Sequence, residues 1–83
     1  MTCFALPNEV GSARLGIAAS QKIGNAVVRN RAKRLARELF RSHKPLTGID
    51  IVVIPRREMV DAAWRNIEAE YRAALVWLEK RIG

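Results

Sequence analysis

The chain has 83 residues, with 15 Lys and Arg against 8 Asp and Glu for a formal net charge of +7. That length holds one small domain, which buries a smaller share of its surface than a typical domain does. A single cysteine and a single histidine exclude an internal disulfide and a zinc cluster. No stretch has the length of a membrane-spanning helix or the pattern of a secretion signal, so the expected setting is the reducing cytoplasm.

In chain order, residues 2–6 read as a short strand and residues 7–12, rich in Pro, Asn, Gly and Ser, as the loop that reverses it. Residues 14–20 read as a second strand. In it Leu15, Ile17 and Ala19 point one way, while Arg14, Gly16, Ala18 and Ser20 point the other. The first face suits a core. The second is small-sided, and two readings stay open: a helix packs closely against it, or a ligand approaches the backbone there.

Gly24 and Asn25 punctuate the chain, Asn25 as an N-cap, and a helix runs from there to about residues 41–43, ended by Pro45. Residues 46–48 connect it to residues 49–54, Ile-Asp-Ile-Val-Val-Ile, a near-continuous β-branched run expected of a strand buried on both faces. Asp61 is expected to cap a long second helix reaching about Arg81, with Trp64, Ile67, Tyr71, Leu75, Leu78 and Ile82 on its core stripe and Trp77 off it. The order is β-β-α-β-α: an α+β domain over residues 1–83, with about three strands in a mixed sheet and two helices packed on it. The general rule makes its strand–helix–strand crossover right-handed.

The charge is not spread evenly. Residues 1–41 hold eight Lys and Arg and two acids, whereas residues 42–83 hold seven and six. On the first helix Arg29, Lys33, Arg37 and Arg41 recur every fourth residue and stack as a ridge, with Asn30 and Arg34 beside it. Val28, Ala32, Leu35, Ala36 and Leu39 form the opposite, core-facing stripe. Like charges at this spacing destabilise an isolated helix, and a polyanion is the simplest compensation. A merely solvated face would mix signs, and this one does not. Arginine donates two hydrogen bonds to phosphate at once, Asn30 offers donor and acceptor to a base edge or ribose hydroxyl, and the amides near Asn25 and Ala26 add positive potential at the helix start.

Enzyme constellations fall short. There is no Gly-rich phosphate loop, His43 has no nucleophile partner and reads as a dipole-complementing surface residue, Glu68 and Glu70 point to different sides of their helix, and Cys3 reads as a small strand residue. The aromatics Phe4, Phe40, Trp64, Tyr71 and Trp77 are few, and most occupy expected core positions. No small-molecule substrate is expected, and charge and spacing alone do not separate RNA from DNA.

The stretches Arg14-Leu-Gly-Ile-Ala-Ala-Ser20, Lys22-Ile-Gly-Asn-Ala-Val-Val-Arg-Asn-Arg31 and Lys33-Arg34 with Arg37-Glu38 resemble the bacterial ribonuclease P protein component over about residues 4–78. The resemblance implies the fold of that family, related to the second domain of ribosomal protein S5, with a left-handed crossover around the basic helix. It implies an accessory subunit of a ribonucleoprotein endonuclease that removes the 5′ leader of precursor tRNA, in which the RNA subunit and its magnesium ions carry out the hydrolysis and the protein itself binds no cofactor. Carried over by position, Arg29, Asn30, Arg31, Lys33, Arg34 and Arg37 would face the catalytic RNA, joined by Arg14, Ser20 and Lys22 at the sheet end. Asn25 and Arg41 complete the expected RNA-binding set. The small-sided strand face would line the cleft for the single-stranded leader.

Two departures go with the resemblance. Gln21 stands where family members carry a lysine, which removes one phosphate contact. The family's N-terminal helix and the start of its first strand, one wall of the leader cleft, have no counterpart before Met1. Other readings are a structural RNA-binding protein of ribosomal type, a DNA-binding module, and a membrane-surface helix, the last weakened because the apolar face is needed for the core.

Overall fold

The middle strand organises the domain. In the structure, a computed structural model that describes residues 1–44 and 48–82, β1 (Thr2–Pro7) and β2 (Arg14–Ile17) flank β3 (Ile49–Ile54) in the order β1-β3-β2. β1 runs antiparallel to β3, and β2 parallel. Helix α1 (Ala26–Ser42) makes the crossover from β2 to β3, and α2 (Arg57–Asp61) and α3 (Trp64–Ile82) follow. Residues 45–47, including the expected helix stop Pro45, and the side chain of Ile82 lie outside the described residues. No helix among the described residues is long and apolar enough to cross a membrane.

The register sorts the sheet into two faces. Cys3, Val53 and Ile17 form one row toward the helices, and Ala5, Ile51 and Leu15 the next. Against them pack Ala36 and Leu39 of α1, Met59 of α2, and Ile67, Tyr71, Leu75 and Leu78 of α3, which together form one core cluster. Burying a single leucine or isoleucine contributes about 1.5–3 kcal/mol, so this layer carries the fold. A second cluster, Ile23, Ala32 and Val60, holds the start of α1 against α2.

The opposite face is open, which corrects the expectation that β3 is buried on both sides. Ile49, Ile51 and Val53 are buried, whereas Asp50 and Val52 are half-exposed and Ile54 is exposed. The open face carries Leu6, Asp50 and Arg14 in one row and Phe4, Val52 and Gly16 in the next. The aspartate within the β-branched run is the residue that betrays the solvent side. Two aromatics also depart from expectation: Phe4 and Trp64 are exposed, and only Tyr71 is fully buried.

Two further differences concern boundaries. β2 stops at Ile17, because Ala18 N–H makes a last ladder bond to Val53 O (3.0 Å) before Ser20 opens a single 3-10 turn over Gln21–Ile23. The expected long helix is present as α3 but starts at Trp64, and Asp61, instead of capping it, ends an additional short helix, α2. Met59 joins the main core while Val60 joins the second cluster. Burying both pins this short helix beside α1, and the chain must turn again before Trp64. Within α3 the stripe Ile67, Tyr71, Leu75 and Leu78 is buried, and Trp77 lies off it with the Arg81 guanidinium 4.0 Å from its ring centroid, close enough for a cation–π contact.

Burial pushes the Tyr71 phenol up to about 12, and its hydroxyl has no hydrogen-bond partner among the described residues. An unpaired buried hydroxyl costs about 1–3 kcal/mol. Tyr71→Phe is therefore expected to stabilise the domain by about 1 kcal/mol, read as a higher urea midpoint at unchanged slope. The raised phenol pKa also makes wild-type stability fall as pH rises from about 10, the unfolded value, toward 12. The variant should lack that alkaline decline.

Candidate nucleic-acid interface

α1 is fixed at its start by a set of short-range bonds. Asn25 caps it as expected: its Oδ1 accepts from Val28 N–H at 3.1 Å, and its carbonyl accepts from Arg29 N–H at 3.0 Å. Gly24 precedes the cap at φ +144°, and a Cβ there would lie 2.9 Å from Val28 Cβ and 3.1 Å from Arg57 Nη1. Only glycine fits both the conformation and the space. Two guanidinium groups clamp the same turn, Arg29 Nη1 donating to Gly24 O and Arg57 Nη1 to Ile23 O, each at 3.2 Å. At the other end His43 N–H donates to Leu39 O at 2.9 Å, and the His43 ring meets Glu68 of α3, Nε2 to Oε2, at 2.8 Å. The histidine thus ties α1 to α3 instead of standing free at the helix end.

The expected RNA-binding residues divide by what else holds them. Arg31, Lys33, Arg34 and Arg37 make no ion pair among the described residues, and all lie on α1. Lys22, Ser20 and Asn30 are exposed. Arg29 is half-buried, one donor committed to Gly24 O. Arg41 makes only a long, exposed contact with Glu38 at 3.4 Å, a geometry that contributes little. Asn25 is occupied as a cap. Arg14 is the most fully engaged: Asp50 accepts from its fork, Nε to Oδ1 and Nη2 to Oδ2, both 2.8 Å. Sequence reasoning did not find that pair, since its partners lie 36 residues apart.

The cations do not form one ridge. Residues two apart on a helix face opposite ways, and α1 uses both flanks. Lys33 and Arg37 turn toward β2, where with Leu15 and Ile17 they line a hollow of about 440 Å³. Asn30, Arg31 and Arg34 line another of about 550 Å³ with Val27 and Leu35. β2 is an edge strand, so on its other side the sheet face begins with Arg14 and Gly16. A Cβ on Gly16 would meet only the Val52 side chain, at 3.6 Å. Among the described residues no helix packs on that face, which removes the close-packing reading of its small residues.

Among the described residues Asp50 is the one acid in the sheet rows of this open face. The Arg14 guanidinium, and then the Asn8 amide donating at 2.6 Å, hold its carboxyl below the ordinary carboxylate value. Asn8 Oδ1 also accepts from Val10 N–H at 3.0 Å, so the pair is anchored in the turn that joins β1 to β2. Burial raises the Cys3 thiol, which makes it a poor nucleophile at neutral pH.

A family model described as Ribonuclease P matches residues 1–79. The ribonuclease P protein component of Pelotomaculum thermopropionicum is 43% identical over 67 residues, covering 78% of this chain and 60% of that protein. That of Clostridioides difficile is 37% identical over 71 residues, 82% of this chain and 62% of that one. Among solved structures, the RNase P protein of Thermotoga maritima superposes with a TM-score of 0.78 at 33% identity over 88% of this chain and 72% of its own. The Staphylococcus aureus RNase P protein gives 0.72 at 35% identity over 94% and 72%. The chain spans about 60% of the length of the curated relatives it matches.

Two predictions follow from this geometry. In a carbon-detected NMR titration, the Asp50 carboxyl should titrate below about 3.9, the unperturbed value, and Asn8→Ala should move its midpoint upward. Because the folded value is depressed, the stability that this pair supplies is present above the unfolded pKa and lost as pH falls through the folded one. Gly24→Ala should cost more than the roughly 1 kcal/mol of an ordinary φ > 0 glycine, because Val28 or Arg57 must also move. Its amide exchange should rise first at residues 25–29; protection lost elsewhere first would contradict this.

Proposed function

The chain belongs to the ribonuclease P protein family, and from that premise we propose that it is the accessory protein subunit of a ribonucleoprotein endonuclease, binding the ribonuclease P RNA and helping to position precursor tRNA for removal of its 5′ leader. The observation that carries this reading is the set of unpaired cations on α1, Arg31, Lys33, Arg34 and Arg37, held by a helix fixed at both ends. Guanidinium groups suit phosphate oxygens, and cations clustered without acids bind by displacing the counterions of a polyanion.

In this reading α1 and the adjoining turn with Ser20 and Lys22 face the catalytic RNA. The open sheet face receives the single-stranded leader, where Phe4 offers an exposed ring for stacking on an unpaired base and Gly16 lets a chain approach the backbone. Hydrolysis is assigned to the RNA subunit and its magnesium ions. What this chain contributes is position and charge: its cations lower the repulsion between two RNA backbones brought close together, so less free magnesium is needed to hold them. Among the described residues no group of three or more His, Cys, Asp or Glu is placed to hold a metal ion. We place the complex in the cytoplasm, where precursor tRNA is made.

Reconstitution tests this. Added to the ribonuclease P RNA of the same genome, the chain is expected to speed leader removal at low magnesium. Its affinity for that RNA should fall with salt at a log–log slope of about −3.5 to −4.5, as for about five neutralised phosphates. Arg34→Ala and Arg37→Ala should each reduce the slope by about 0.7–0.9. Binding with the same salt dependence but no stimulation would favour a structural RNA-binding role.

A further inference from the structure

The two hollows beside α1 differ in chemistry. The one toward β2 offers two cations and two aliphatic side chains, Lys33, Arg37, Leu15 and Ile17. It can neutralise a phosphate and cover a sugar, but it has no group that both donates and accepts. The hollow on the far flank has one. Asn30 carries donor and acceptor on a single amide and sits among Arg31 and Arg34 over the aliphatic side chains of Val27 and Leu35.

Val27 is the residue that protein packing does not explain. It is 75% exposed, β-branched, and placed in the first turn of a helix whose other exposed residues, apart from Ala26, are polar or charged. Leu35, two turns on, is half-buried, so the aliphatic floor of the hollow is only partly covered. A bare phosphate gains nothing from such a floor. A ligand that uses every wall has a flat face to lie against a guanidinium plane, an edge with both donors and acceptors, and an attached anion. That is the chemistry of an unpaired nucleotide.

We propose that the far flank of α1 is a subsite for one unpaired nucleotide of the bound RNA, its base lying over Val27 and Leu35 against Arg31 or Arg34, with Asn30 reading its edge. α1 then separates two modes of contact, a sequence-blind backbone track along β2 and a base-reading position on the other side. The proposal rests on the RNA-subunit reading and adds to it a single nucleotide that the protein discriminates. Glu38, the one acid of α1, lies one turn beyond Arg34 and turns to Arg41 at 3.4 Å, so it bounds the subsite without filling it.

The test combines protein variants with an abasic scan of the ribonuclease P RNA. Val27→Ala leaves a surface position with better helix propensity and should fold normally. It should weaken binding about 5-fold, and Asn30→Ala about 10-fold, both with the wild-type salt slope, since neither side chain neutralises a phosphate. One abasic position should weaken wild-type binding and have no further effect on either variant, the non-additivity expected of groups in contact. Variants that bind like wild type, or abasic penalties that simply add, would overturn the subsite. In that event the RNA-subunit reading stands as long as the wild-type chain binds with its steep slope. Loss of wild-type binding altogether would remove both.

Discussion

A helix with five like-charge pairs at i,i+3 or i,i+4 spacing, among Arg29, Arg31, Lys33, Arg34, Arg37 and Arg41, works against itself. Each such pair costs about 0.2–0.5 kcal/mol, so the set opposes helix formation by about 1–2.5 kcal/mol. The burial of Leu39 contributes about as much in the opposite sense, and Ala32 and Ala36 are equally inaccessible. The sheet therefore supplies what the helix lacks, and the small core stripe lets α1 sit close to it. The function proposed for the chain depends on this balance: the core holds a set of cations at fixed spacing without neutralising them.

The same economy explains where cations are neutralised. Arg14 is taken up by Asp50, and Arg29 and Arg57 are turned back onto the carbonyls of Gly24 and Ile23. All three fix geometry around the start of α1 or the end of the sheet. Arg31, Lys33, Arg34 and Arg37, without an ion pair among the described residues, lie further along α1, where only the helix itself has to hold them. The arginines at the start of α1 serve the fold, and those in its middle are available to a ligand.

Much of this was legible in the residues. The boundaries of β3 follow from its β-branched run, Asn25 reads as a cap from its place after Gly24, and the core stripe of α1 and that of α3 from Ile67 to Leu78 follow from spacing alone. The sequence reading failed where a long-range contact decided the outcome. Asp50 binds Arg14 across two strands, and Met59 and Val60, by joining different clusters, pin a short helix ahead of the expected one. Four-residue spacing made α1 look like a carrier of one ridge, whereas Arg31 and Lys33 lie on opposite flanks. Phe4 looked like a core aromatic because apolarity does not say which face of a sheet is covered. Gly16, in the same cross-strand row on the far side of Val52, was the better signal.

The central claim is that the α1 cations repel one another in the free protein and are held there by packing. The most direct measurement is the melting temperature of the RNA-free chain as potassium chloride is raised through the range in which the Debye length falls from about 30 to about 8 Å. The account predicts a Tm that rises as the repulsion is screened, and a shallower rise in the Arg34→Gln, Arg37→Gln double variant. A Tm that falls with salt would mean that these side chains are held in attractive ion pairs, and would contradict the account.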